Sequence, residues 1–314
     1  MDVRKVQLVG ISTLTVSLPR EWTLRHKVSR GSKLSMVESP SGSLIISPLQ
    51  RTQQRIVLNL PDDASLLSKL LTAAYLRGYD TLVVKSNDAE IDSDARLVVR
   101  RTAKRLMGLQ VVREDAHTME LDVSAEPRIT SLSSGMERMT QLVKSVLDVG
   151  LSMSGESVGD TLSEMDEDAD KLTFVYSRWL RKTLMEPAQL SAAQPDDVPA
   201  FDALSVFKLL ERCVDHAVAA ATALRARNKP HPSPELQELA SKAARLLEDA
   251  VSAFVNKDAV KAAKTSKEKD ALRDSFQKKG GIGGDLVTYH LTRIIDYSSD
   301  IAEIVLDEGY GFMS

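Results

Sequence analysis

The sequence predicts a multidomain chain made of a small β-rich head, an α/β middle and an all-α pair of three-helix bundles. Three observations predict it. Short β-branched runs fill the first fifty residues; strand-type and helix-type runs alternate from about residue 53; and from about Ile129 the strand signals stop and long helical periods take over. The boundaries read from these changes are 1–50, 51–126, 127–230 and 231–314.

In the head, "VRKVQLVG" and "STLTVSLP" read as strands around a turn at Gly10, closed by Pro19. "REWTLRHKV" reads as a short helix, and "SKLSMVES" with "GSLIISPL" as a second hairpin around Ser41-Gly42. So few residues own little core, so the head is expected to complete itself by pairing with a second copy. In the middle, "QRIVLNLP" and "DTLVVKSN" are buried-type strands, each followed by a helix pattern. "LQVVRED" with "TMELDVS" then closes the unit as a hairpin, giving the order β-α-β-α-β-β.

Helices are predicted over 131–154, 157–186 and 199–227, then over 233–255, 257–278 and 285–307, with breakers such as "AAQPDDVP", "NKPHPSP" and "KGGIGG" between them. The two sets align. Leu210, Arg212 and Asp215 match Leu291, Arg293 and Asp296 at an offset of 81, while Asp170 and Leu172 match Asp270 and Leu272 at an offset of 100.

A single cysteine, Cys213, forms no internal disulfide, and the N-terminus has no unbroken apolar run of the secretory type; a reducing, cytoplasmic setting is expected. No stretch approaches the ~20 apolar residues that cross a bilayer, so direct membrane insertion is not expected. The net charge of −3 is unevenly spread. Residues 1–50 carry seven Lys/Arg against three Asp/Glu, whereas residues beyond 125 sit at −7, which suggests a polyanion for one end and cations for the other.

The predicted second helix has a buried stripe at Leu162, Met165, Ala169, Leu172, Tyr176 and Trp179, and Asp166 and Asp170 each follow a stripe residue by one. Glu211 and Asp215 do the same in the third helix, beside Leu210 and Val214. Both pairs are i,i+4 and share a face at the border of the core. Like charges so placed cost a helix a few tenths of a kcal/mol, more as water is withdrawn. Periodicity leaves three readings open: the acids bind a cation, Arg178, Arg212 and Lys171 neutralise them in rim salt bridges, or they are solvated.

"LERCVDHAVAAA" and "LTRIIDYSSDIAE" resemble the (E)RxxD signature of PhoU-type phosphate-uptake regulators, and "DEDADKL" resembles the acidic motif on that family's preceding helix. The likeness covers roughly residues 129–307. It implies divalent or transition metal ions (Mg, Mn, Zn or Fe) held through Asp166 with Asp170 and Glu211 with Asp215. In the second set Thr292 replaces the motif's glutamate and Ser266 stands in the place of Asp166, while Asp296, Asp300 and Glu303 share one face and are further candidate ligands.

"VQLVGISTLTVSLPREW" with "GSKLSMVESPSGSLIISP" resembles the AbrB/SpoVT/MazE swapped-hairpin domain, in which two chains interleave into one barrel. That resemblance implies a homodimer and basic side chains facing DNA, for which Arg4, Lys5, Arg20 and Arg25 are the candidates. The alternative is that the head only dimerises, with its charges solvated. Other signals carry less. "GGIGGD" lacks the strand and Gly-Lys-Ser/Thr ending of a phosphate cradle, and "EDAH" (Glu114 to His117) falls in a hairpin with no second copy. His216 is read as solvated or hydrogen-bonded and Cys213 as a small core residue.

Together the resemblances imply a cytoplasmic, non-enzymatic regulator of phosphate uptake that acts through a phosphate-transporter ATPase or a signalling protein. The alternative is a DNA-binding transcriptional regulator whose bundles form a ligand-sensing module. A carboxylate-metal enzyme lacks a nucleophile or a histidine ligand set in the sequence.

Overall fold

Why a β head and a helical body separate is visible in what each buries. The computed structural model describes residues 3–38, 42–49, 53–87, 89–124, 129, 131–152, 157–185, 199–226, 232–278 and 285–309. The first 52 residues belong to one compact unit, and the bulk of the chain from Gln53 onward forms another.

In the head, β1 (Gln7–Val9) and β2 (Thr13–Thr15) pair antiparallel, with Gly10 at a positive φ of 70° in the turn. Helix α1 (Arg20–Arg25) starts after Pro19 and stops sooner than its sequence suggests, because Lys27 turns left-handed at φ 52°. Strands β3 (Leu34–Glu38) and β4 (Leu44–Pro48) form a second antiparallel pair. Each sheet has two strands, and no described residue of the head is buried. Ile11 is 100% exposed and Leu14 69%.

The middle has the predicted order: β5 (Arg55–Asn59), α2 (Ala64–Leu76), β6 (Thr81–Lys85), α3 (Ser93–Arg105), β7 (Leu109–Glu114) and β8 (Thr118–Val123). The sheet order is β5-β6-β8-β7; β5 and β6 run parallel, as a helical crossover requires, and β8 runs antiparallel to both neighbours. Leu67, Leu71 and Tyr75 of α2, Val99 of α3 and Leu82, Val84, Met119 and Leu121 of the sheet form its core. Asp63 and Asp92 cap the two helices, accepting from the backbone N–H of Ser65 and Ala95 at 2.8 and 2.7 Å. Glu114 accepts from Arg96 and Arg100, so the acid of the "EDAH" stretch is engaged in ion pairs at the end of its hairpin.

Beyond Val123 the described elements are helices: α4 (Leu132–Ser152), α5 (Val158–Met185), α6 (Ala200–Arg225), α7 (Pro234–Asn256), α8 (Ala259–Lys278) and α9 (Leu286–Asp307). Most of the predicted breakers, including 280–284, lie outside the described residues. Helices α4, α5 and α6 pack on one another, as do α7, α8 and α9. The two sets are also joined, α6 to α9 and α4 to α7, and share one continuous hydrophobic core. Small residues allow the close crossings. A Cβ placed on Gly150 of α4 would lie 2.2 Å from the Cβ of Ala221 on α6.

Helix α5 also locks the bundle to the α/β middle. Arg178, 2% exposed, donates to the carbonyls of Tyr75 and Tyr79 at 2.6 and 2.9 Å and lies 3.5 Å from Asp80, while Lys182 lies 3.2 Å from the same carboxylate. Phe174 adds apolar contact to the α/β core. A buried cation of this kind is tolerated because carbonyls and a carboxylate replace its water. Among the described residues no helix is long and apolar enough to cross a membrane.

Candidate functional site

The spacing on α5 and α6 places four carboxylates in one patch. Helices α5 and α6 pack side by side, and Asp166 and Asp170 on the first meet the charge of Glu211 and Asp215 on the second. Partial burial raises the Asp166 carboxyl, and the charges of Asp215 and Asp170 raise it further. Burial likewise raises Glu211; Asp170 and Asp166 add to the rise while Lys208 and Arg212 oppose it. Asp215 keeps an exposed edge, yet its carboxyl is pushed up to about 6, first by burial and then by Glu211 and Asp170.

The neutralising partners differ from those the sequence offers. Arg105, at the C-terminal end of α3, reaches across from the α/β middle to Asp170 at 2.5 Å and stacks over Phe174. Lys208 lies 3.8 Å from Glu211. Arg178 turns away into the α/β junction, Lys171 pairs with Asp168 and Glu167 on its own helix, and Arg212 sits over the Tyr297 ring. In place of the rim salt bridges that one reading assigns to these three, the α/β middle supplies Arg105 to Asp170. Arg105 could have been suspected only from the basic run at the end of its helix; nothing in the sequence sets its distance from Asp170.

In the second set Arg293 holds Asp296 at 2.9 Å, and the Ser299 hydroxyl donates to Glu303 at 3.3 Å. Asp300 is raised by burial and by Glu303, with Lys269 of α8 opposing. The three candidates thus share one face of α9, one of them paired within its own helix.

All seven acids offer oxygen, which suits a hard cation. The donor chemistry of the first patch suits such an ion, but Asp170 would have to leave Arg105 to ligate. Among the described residues no three His, Cys, Asp or Glu side chains stand in ion-holding geometry. Cys213, two residues from both Glu211 and Asp215, is fully buried, and burial pushes its thiol far up.

In the head, Arg4 and Lys5 precede β1, and Arg20 and Arg25 stand at the two ends of α1; all four are exposed.

A contact the sequence hid lies between α6 and α9. His216 faces His290, with their Nδ1 atoms 2.8 Å apart, beside the rings of Tyr289 and Tyr297. The repeat register pairs His216 with Tyr297 and Arg212 with Arg293, and both arginines lie over the Tyr297 ring, at 5.9 and 4.6 Å.

Fold and site define a multidomain chain in which small sheets precede a mostly helical part bearing a paired-carboxylate patch on its first repeat. Compared with known proteins, the chain matches no family model, no curated protein and no solved structure.

Proposed function

We propose that this chain is a non-enzymatic, cytoplasmic regulator of phosphate uptake of the PhoU type, acting through a phosphate-transporter ATPase or a signalling protein. The observation that carries the reading is the patch of Asp166, Asp170, Glu211 and Asp215, three of whose carboxyls are raised first by burial and then by the charge of the others. Acids that repel one another at a helix seam are costly unless something positive shares the seam. Asp166, Asp170, Glu211 and Asp215 would hold a divalent or transition ion, with Asp296, Asp300 and Glu303 as a second, weaker set. The bound ion supplies positive charge. That charge would offset the repulsion among the carboxylates and draw α5 and α6 together, biasing the surface shown to the partner.

The test is metal analysis of protein purified without chelator, set against an Asp166→Asn/Glu211→Gln variant. Metal retained by the wild type and lost by the variant is expected; equal content in both removes the site.

A second reading is favoured by the head. Apolar side chains such as Leu8, Leu14 and Ile11 stand exposed on an element with no buried residue, and surface of that kind is ordinarily covered. A homodimer through a swapped-hairpin barrel would cover it and bring two copies of Arg4, Lys5, Arg20 and Arg25 to DNA. The bundles would then be the sensing module of a transcriptional regulator. Salt-dependent DNA retention lost in Arg4→Ala/Lys5→Ala favours this reading; transporter co-purification without DNA retention favours the first.

A further inference from the structure

We propose that His216 and His290 form a nitrogen-donor site for a late first-row divalent ion (Ni²⁺, Cu²⁺ or Zn²⁺), one per chain, bridging the third helices of the two repeats. The site is separate from the carboxylate patch in ligand type and in the ions it selects. Imidazole suits these ions, whereas an all-oxygen set suits Mg²⁺ or Mn²⁺.

The geometry begins with the nitrogens. Their separation is 2.8 Å, with ring centroids 5.1 Å apart and ring planes tilted by 44°. Without an ion, one ring donates its Nδ1–H and the other accepts. Two imidazoles bound side by side on an ion, with bonds of about 2.0–2.1 Å, hold their nitrogens roughly 3 Å apart. The rings are therefore already at that spacing. Ligation requires the rings to turn about their side-chain bonds until both Nδ1 lone pairs face one point. The donor ring moves its proton from Nδ1 to Nε2 as its Nδ1 lone pair takes the ion; no proton leaves the pair.

The surroundings favour neutral ligands. The half-buried rings are walled by Tyr289 and Tyr297, with centroids 6.2 and 5.7 Å from that of His216. Of the two facing Nδ1 atoms, 2.8 Å apart, one must accept the other's N–H, so at least one ring of the pair is neutral, as ligation requires. Burial lowers both imidazoles, and His290, Arg293 and Arg212 lower His216 further. Arg293 does not add its full charge, since Asp296 pairs with it. With only two protein donors, the remaining coordination positions fall to water or to a partner's side chain.

The test uses the full chain without an affinity tag. Cu²⁺ is added to one equivalent and followed by electron paramagnetic resonance, and Ni²⁺ or Zn²⁺ binding is followed by calorimetry. Hyperfine coupling to two imidazole nitrogens is expected. Affinity is expected to fall about tenfold or more in His290→Gln, to be kept in Asp166→Asn/Glu211→Gln, and to be kept in a variant lacking the other three histidines (His26→Gln/His117→Gln/His231→Gln). Thermal melts establish that each variant is folded. The spectrum of the wild type needs no variant: coupling to fewer than two nitrogens overturns the proposal, as does equal affinity in wild type and His290→Gln.

Discussion

The two helical repeats share a frame but not a charge plan. In the first, Asp166, Glu211 and Asp215 are all raised by burial and by neighbouring acids, and a counter-charge for Asp170 comes from the α/β middle as Arg105. In the second, Ser266 takes the place of Asp166 and Thr292 that of Glu211, Arg293 pairs with Asp296 on its own helix, and Lys269 opposes the rise at Asp300. Packing geometry enforces the apolar stripe in both helix triplets, while border positions one residue along, those of Asp166 and Glu211, carry acids in one and not in the other.

The first repeat's tie to the α/β middle can be broken most severely at Arg178. Its removal leaves Asp80 and two carbonyls short of a buried donor, so Arg178→Ala is expected to cost about 3–5 kcal/mol, read as a lower denaturant midpoint. The α4–α6 crossing comes next. Gly150→Ala puts a methyl group 2.2 Å from the Ala221 Cβ, and the forced separation is expected to cost about 1–3 kcal/mol by the same measurement.

The charge comparison itself is sharpened at Asp215. Its carboxyl titrates near 6 in the folded chain against 3.8 when unfolded, so the native state binds more protons between those values. The stability this contributes is complete below about pH 4 and is lost as pH rises through 6. At pH 7.5, Asp215→Asn is expected to stabilise the chain by about 1 kcal/mol after allowing for its partial exposure, a rise of roughly 2–4 °C in melting temperature. Adding Mg²⁺ should erase that advantage by stabilising only the wild type. Asp300→Asn, in the better neutralised repeat, is expected to change less.

The smallest effect is expected where the repeats touch at the surface. Lys144 and Glu248 form an exposed pair at 2.9 Å between α4 and α7, and Lys144→Ala is expected to cost at most about 1 kcal/mol, less in high salt. A larger loss would mean that this pair, rather than the shared core, joins the two repeats.

Much of the fold was legible because apolar period reports directly on local structure. The β-α-β-α-β-β order and all six long helices follow from runs and breakers, with helix ends within a few residues. Helix α1 ended early because Lys27 adopts a left-handed backbone that no residue type there announces. Of the site, the pairing of Asp166 with Asp170 and of Glu211 with Asp215 is a consequence of 3.6 residues per turn. Their partners were not legible. Arg105 stands 65 positions from Asp170 and His290 stands 74 from His216, and period says nothing about such separations.

By itself, then, the sequence determined which residues turn inward on each helix, where strands give way to helices, and that acids border the core of the first repeat, since each depends on neighbours within a turn or two. Only the tertiary structure decided that the repeats share one core, that Arg178 closes the α/β junction instead of the acid patch, and that two histidines meet across α6 and α9. Those outcomes depend on how whole helices cross, and crossing is set by the summed packing of distant side chains.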